Sequence, residues 1–362
     1  MRKVYLQLLF AGWRYTFLYP QKNSIDVSRW FICIILMIGL GCREEPMPLL
    51  NESPLPVYTL RQDTLIGLDP AIAVTSLATY GTHRLLLGDP GGRIYVMDGT
   101  SGAILDSIGR RGTGPGEFSG EPFDLEVFHD SLLLVIDARP RFRLHVWRLI
   151  PSIQFIRSIP LKNIASPADA TWLNEQEIVL SMVPTPEEHP TVLVRVNAKD
   201  GALRPFSGFF LPRNLPESPF YRIFYVESRV PDELWVAGLF VNRLGVFRDS
   251  AFTWYALPDI PAYAPAEKKR FFPGYGQVDV PARRLFYQLA HNEQLYFLVT
   301  GEAIPAGSQL LVIDTTMTLR ARIPLSERWE ALAATDSSIY AVIEDTSTGY
   351  AYLARYTLQK ID

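Results

Sequence analysis

Five histidines, His83, His129, His145, His189 and His291, are the side chains best suited to move a proton or hold a transition metal near neutral pH. No two stand at a metal-ligand spacing, and no His-Glu-x-x-His run occurs, so the sequence predicts no metal centre and no resident cofactor. The acidic pairs Glu187-Glu188 and Glu344-Asp345 have the oxygen chemistry that Ca²⁺ takes, with a solvated loop as the competing reading. No Gly-x-Ser-x-Gly elbow is present. A Ser-His-Asp triad stays open, because its members need not be neighbours in sequence.

Two stretches carry arginine on loops. The segment 109–118, Gly-Arg-Arg-Gly-Thr-Gly-Pro-Gly-Glu-Phe, is not a phosphate-binding loop of the Walker type, since no Gly-Lys-Ser/Thr follows. Its glycines supply turns, and Arg110 and Arg111 are candidate ligand contacts. Arg139, Arg141 and Arg143 form a basic loop, of which Arg139 and Arg141 are candidates for a carboxylate or phosphate. Two long insertions, 206–222 and 258–284, contain Phe220, Tyr221, Lys269, Arg270 and Phe272. Projecting from one rim, they would form an aromatic, basic-edged surface of the kind that loops use for recognition. The alternative is that these aromatics pack the loops onto the body of the protein.

The elements that position these residues are short strands. Apolar runs start at Leu85, Leu132, Ile178, Leu234, Leu295 and Ile339, some 44 to 61 residues apart. Each is bounded by turn residues and followed by a strand, an Asp or Asn turn, and another strand. Val194–Asn197 leading through Asp200-Gly201 is one case, and Leu311–Asp314 leading to Leu319 is another. Such periodicity marks a repeat architecture. Six units of about four strands predict an all-β, six-bladed β-propeller with four-stranded antiparallel blades over residues 55–362. Inner strands are apolar on both faces because blades stack face to face. Val57-Tyr58-Thr59-Leu60 is expected to join the last blade and close the ring.

The chain has 362 residues and a formal charge of −3; removing 1–41 leaves 30 basic and 37 acidic side chains, a net of about −7. A mildly acidic domain lacks the basic footprint of a nucleic-acid binder. The two cysteines, Cys33 and Cys42, cannot build a disulfide framework. Residues 30–41 form an apolar run after Arg29, shorter than the roughly 20 residues of a membrane span. That run fits the apolar region of a signal peptide over 1–41, with the true start possible at Val27.

Gly39-Leu40-Gly41-Cys42 resembles the bacterial lipobox, with Gly39 where the family usually has leucine; the resemblance implies lipidation at Cys42. Residues 42–54, with Pro46, Pro48 and Pro54, then read as a tether. Arg43-Glu44-Glu45 resembles a surface-export signal of Bacteroidetes-type lipoproteins. Asp89-Pro-Gly-Gly-Arg93-Ile-Tyr-Val96 and the loop 109–118 resemble the NHL repeat. The chain is thus similar to the NHL-like six-bladed propeller lipoproteins of such bacteria. The resemblance implies an exported protein held at the outer membrane, periplasmic or surface-facing.

Two functions follow from these residues. One is a non-catalytic binding or scaffold propeller for an envelope protein, peptide or glycan. The other is a hydrolase or lyase, metal-dependent or acid/base, with its site in the central channel. Three or more histidines or carboxylates converging on the channel would count against a binding-only propeller. A channel lined by backbone, arginine and apolar groups would count against an enzyme.

Overall fold

The computed structural model describes residues 5–10, 13–18, 47–52, 57–137, 142–161, 166–183, 192–211, 215–272, 276–281, 283–301, 307–345 and 350–361, with backbone alone at 5–18, 57, 267–272, 276, 344–345 and 361. Tyr5–Phe10 and Trp13–Leu18 pair as a hairpin in a unit of their own, Met1–Met47. The second unit, Pro48–Asp362, is a six-bladed propeller whose blades are four-stranded antiparallel sheets.

Blade 1 spans Ser76–Ile108, blade 2 Pro122–Pro160, blade 3 Pro167–Pro205, blade 4 Phe224–Tyr255 and blade 5 Phe286–Pro324. Blade 6 takes three strands from Trp329–Ala334, Ile339–Asp345 and Tyr350–Ile361. Its fourth is the early strand Val57–Gly67, which pairs antiparallel with the last in the register Ile361↔Val57. The ring therefore closes as the sequence predicts, and no blade is left with a bare terminal edge.

The expected Asx turns hold the outer hairpins. Asp98 Oδ1 accepts the N–H groups of Thr100 and Ser101, and Asn197 Oδ1 those of Lys199 and Asp200. The second strands are buried on both faces, with Leu85, Leu86 and Leu87 all at 0% exposure, so the core lies between blades. Trp235 of blade 4 stacks on Tyr296 of blade 5 with ring centroids 3.5 Å apart. Trp172 of blade 3 meets Phe128 of blade 2 at 5.8 Å.

Two features go beyond the repeat. Residues 48–52, the end of the segment read as a tether, lie along the outer edges of blades 4 and 5. Leu50 donates its N–H to Ala256 O at 3.0 Å and is 3% exposed in the blade 4–5 core. Asn51–Glu52 then adds a fifth, parallel strand to blade 5. The stretched approach to blade 5 is filled by a hairpin of Ala266–Phe272 and Gly276–Pro281.

Candidate ligand site in the central channel

The first strand of each blade faces the channel, and the pleat sends residues i and i+2 to the same side. In blade 2 this puts Asp124 and Glu126 on one face; in blade 4 it does the same for Tyr225 and Glu227. Blade 3 contributes Asp169, two residues after Pro167 just as Asp124 follows Pro122. Blade 5 contributes Gln288 and His291. These groups line a cavity of about 600 Å³ along the axis, a size typical of small-ligand sites. Antiparallel order places the hairpins carrying Asp130, Arg229, Glu293 and Asp336 at one mouth, and both long insertions on the opposite side of the ring.

Each channel acid reaches to the next blade. Asp124 Oδ2 accepts the Ala170 N–H at 2.9 Å, and Asp169 Oδ2 the Val226 N–H at 2.7 Å. Glu126 Oε1 accepts the Thr171 hydroxyl at 3.1 Å, and Glu227 Oε1 lies 3.2 Å from His291 Nε2. The acids clasp blades 2, 3, 4 and 5 in sequence. Asp124 and Asp169 also share a hydrogen bond between their carboxyl groups.

Protein walls disfavour the charged forms of these groups. Burial pushes Asp124 up to about 6. Burial, then the neighbouring Asp124 charge, holds Glu126 and Asp169 well above the ordinary carboxylate range. Burial, then the Glu126 charge, does the same to Glu227. His291 is pushed down to about 4, again by burial first. With His291 lowered to about 4, the Glu227–His291 contact meets a neutral imidazole at neutral pH and is not an ion pair there. Among the described residues, no three or more His, Cys, Asp or Glu side chains are arranged to hold a metal ion.

The cations near the channel have partners other than its carboxyl groups. Arg229 donates to Glu293 O at 2.9 Å and lies 3.8 Å from Glu233. Arg284 donates to the Tyr225 hydroxyl at 3.3 Å and covers the Tyr287 ring.

The candidates drawn from sequence lie away from this cluster. Arg110 is exposed and paired with Glu117 at 2.7 Å, while Glu117 also accepts the Gly114 N–H. Arg111 is exposed on the same loop, bridged through its backbone to Phe118. Phe118 is fully buried against His145 and Trp147, and Gly109 must be glycine there: its φ is +69° and a Cβ would strike the Phe118 ring. The loop is thus a plug between blades 1 and 2. Asp89 and Asp137 fasten loops, Asp137 by accepting the N–H groups of Ser119 and Gly120.

The two insertions do meet. Ser218 donates to Asp279 O at 2.5 Å, and Tyr221 to Ala264 O at 2.7 Å with its ring against Tyr263. Tyr221 is 3% exposed, so it packs the insertions together and presents no ligand surface. Its neighbour Phe220 sits in the short 3₁₀ turn Pro219–Arg222. Lys269, Arg270 and Phe272 lie on the added hairpin, described at the backbone only. Arg139, Arg141 and Cys42 lie outside the described residues, as do the pair Glu187-Glu188 and the side chains of Glu344 and Asp345.

No family model and no curated protein matches the chain. Solved structures do. A duf4221 family member from Bacteroides vulgatus superposes with TM-score 0.54 at 13% identity, covering 84% of this chain and 99% of its own. A structural genomics protein of unknown function from Bacteroides thetaiotaomicron gives TM-score 0.51 at 10% identity, with 84% and 77% covered. The WD40 repeats of RRP9 give 0.51 at 11% identity, with 84% and 99% covered. At such identities the likeness is one of fold, and the fold is the propeller.

Proposed function

We propose that this chain is a cell-envelope lipoprotein, anchored through Cys42, whose propeller binds a protein or peptide partner by taking a positively charged group of that partner into the central channel. The observation that carries the reading is the convergence of Asp124, Glu126, Asp169 and Glu227 on one cavity of about 600 Å³, with Arg229 and Arg284 turned to other partners. An entering ammonium or guanidinium group would meet carboxyl oxygens in a setting where water screens little, which makes each contact stronger than on a surface. The likeness of 39–42 to a lipobox and of 88–118 to the NHL repeat supports the envelope placement and the NHL-like assignment.

The same convergence counts against the simplest binding reading, in which loops alone hold the partner and the channel is inert. It also favours a second reading, acid/base hydrolysis or elimination. Asp124, hydrogen-bonded to Asp169 and pushed up to about 6, has the proton affinity a general acid or base needs near neutral pH. Binding ranks first because Asp124 and Asp169 each spend an oxygen on the backbone of the next blade, which fixes them as structural ties.

Calorimetric titration at pH 8 with tri-lysine, and with tri-lysine acetylated on its amines, tests the binding reading. The free amine form binds, the acetylated form does not, and Glu126→Gln/Glu227→Gln weakens binding at least about tenfold. Equal behaviour of the two peptides would overturn it. Separately, Cys42→Ser is expected to release the protein from the membrane fraction.

A further inference from the structure

The channel acids differ from an ordinary acidic patch in how they are wired. Four carboxyl groups on three consecutive inner strands each hold the strand beyond their own, so the junctions of blades 2–3, 3–4 and 4–5 pass through titratable groups. Along the cavity wall the remaining junctions use neutral groups, and the acids that join blades there, Asp130 to the Gly81 N–H and Asp336 to the Glu293 N–H, lie on the exposed mouth hairpins. Ser76 Oγ donates to Pro122 O at 3.1 Å between blades 1 and 2. Gln288 donates to Glu330 O at 3.3 Å between blades 5 and 6, and Thr79 to Ala334 O at 2.9 Å between blades 6 and 1. The buried acids of the cavity are thus confined to blades 2, 3 and 4 and the junctions they make.

We propose that protonation of Asp124, Glu126, Asp169 and Glu227 is a switch on this part of the ring: protonated, the acids clasp blades 2 to 5 together; ionised, they repel one another, loosen those junctions and turn the channel into an anionic surface. The switch regulates the site proposed above, and it rests on that reading only for what then enters.

The groups facing the cluster support the switch from every side. Blade 3 offers the Thr171 hydroxyl and blade 1 offers Ser76 and Thr79, none of them charged. Blade 4 offers Tyr225, whose ionisation burial pushes out of reach. Blade 5 offers Gln288 and His291, and the imidazole stays neutral above about pH 4. Arg284 faces Tyr225 and Tyr287, and Arg229 faces Glu293 and Glu233. At the mouth, Asp130 accepts the Gly81 N–H and Asp336 that of Glu293; Glu330 is engaged by Arg328. Among the described residues the cavity wall carries one fixed positive charge, Arg229, with the exposed His129 at the mouth; held by Glu293 O and lying beside Glu233, Arg229 does not offset four carboxylates ionising together.

The sign follows from linkage. The folded chain holds these protons at pH values where the unfolded chain, with ordinary carboxyl groups, has lost them. The clasp is therefore strongest below about pH 4 and weakens as pH rises through about 6, where Asp124 titrates.

Amide hydrogen exchange on the full chain at pH 5.5 and pH 8.0, corrected for intrinsic rates, tests the switch. Protection of the Ala170 and Val226 N–H groups is expected to fall about tenfold or more at pH 8.0 in the wild type. Glu126→Gln/Glu227→Gln leaves the acceptors of both amides in place and removes two of the charges, so its protection should change far less; Glu126→Gln alone serves if the double variant does not fold. Equal protection at both pH values in the wild type, or an equal fall in the variant, would overturn the proposal. The measurement needs no ligand, so its failure and the failure of tri-lysine to bind are separate results.

Discussion

The Asp169 carboxylate accepts the Val226 backbone N–H at 2.7 Å and so joins the inner strand of blade 3 to that of blade 4. The bond has two opposite consequences for stability. It satisfies a backbone donor, and it keeps an acid where ionisation is unfavourable. Asp169→Asn keeps an acceptor without the charge and should unfold at the same or higher urea concentration than the wild type at pH 8. Asp169→Ala leaves the Val226 N–H without this acceptor and should cost about 1–3 kcal/mol relative to Asp169→Asn.

Glu233 is 5% exposed and takes hydrogen bonds from Trp235 Nε1 at 3.1 Å, Tyr296 Oη at 2.7 Å and Arg248 Nε at 2.8 Å. Burial alone would raise its carboxyl, but the bonds from Tyr296, Arg248 and Trp235 outweigh burial and hold it below the usual value. Its sign is thus the reverse of the channel acids: its contribution is complete above the unfolded pKa of about 4.3 and is lost as pH falls through the folded value. Glu233→Ala leaves the buried Trp235 indole and Tyr296 phenol without this acceptor, while the exposed Arg248 keeps Thr315 O, and should cost about 1–3 kcal/mol by urea unfolding at pH 7.

His291 should be neutral throughout the physiological range. Its imidazole proton resonances are expected to titrate near pH 4, well below an ordinary histidine, because burial disfavours the imidazolium. The depressed folded value means its stabilising contribution is present above about pH 6.5 and is lost as pH falls through about 4. A midpoint raised above the ordinary value of about 6.5 would show that the Glu227–His291 contact is an ion pair after all.

Leu50 anchors the strand that runs along blades 4 and 5. Leu50→Ala should cost about 2–5 kcal/mol, the range for truncating a buried leucine, read as a lower urea midpoint. Arg322, which binds Glu52 at 3.0 Å and Pro258 O at 2.8 Å, holds the same strand. Its change to alanine should cost less than about 1 kcal/mol for the partly exposed ion pair.

The propeller was legible because blades repeat: apolar runs such as Leu132–Ile136 need burial on both faces, and Asp98, Asn197 and Asp314 need the turns they make. The channel was not legible for a physical reason. Phe123-Asp124-Leu125-Glu126-Val127 alternates like any strand with one wet face, and alternation does not distinguish a face on solvent from a face on an axial cavity. The repeated Pro-x-Asp at 122–124 and 167–169 was the available signal. The aromatic insertions misled in the opposite way. Tyr221 is conspicuous in sequence because it is large, and it is large because it packs two insertions together.

The central claim is that a cationic group enters the channel. Zero-length carbodiimide coupling of tri-lysine to the full chain, followed by peptide mapping, tests it most directly, since the reagent joins an amine to whichever carboxyl it already touches. The account predicts adducts at Glu126 or Glu227 that free amine competitor suppresses and that disappear in Glu126→Gln/Glu227→Gln. Adducts confined to exposed acids such as Asp130 and Glu121, with the channel carboxyls unmodified, would contradict it.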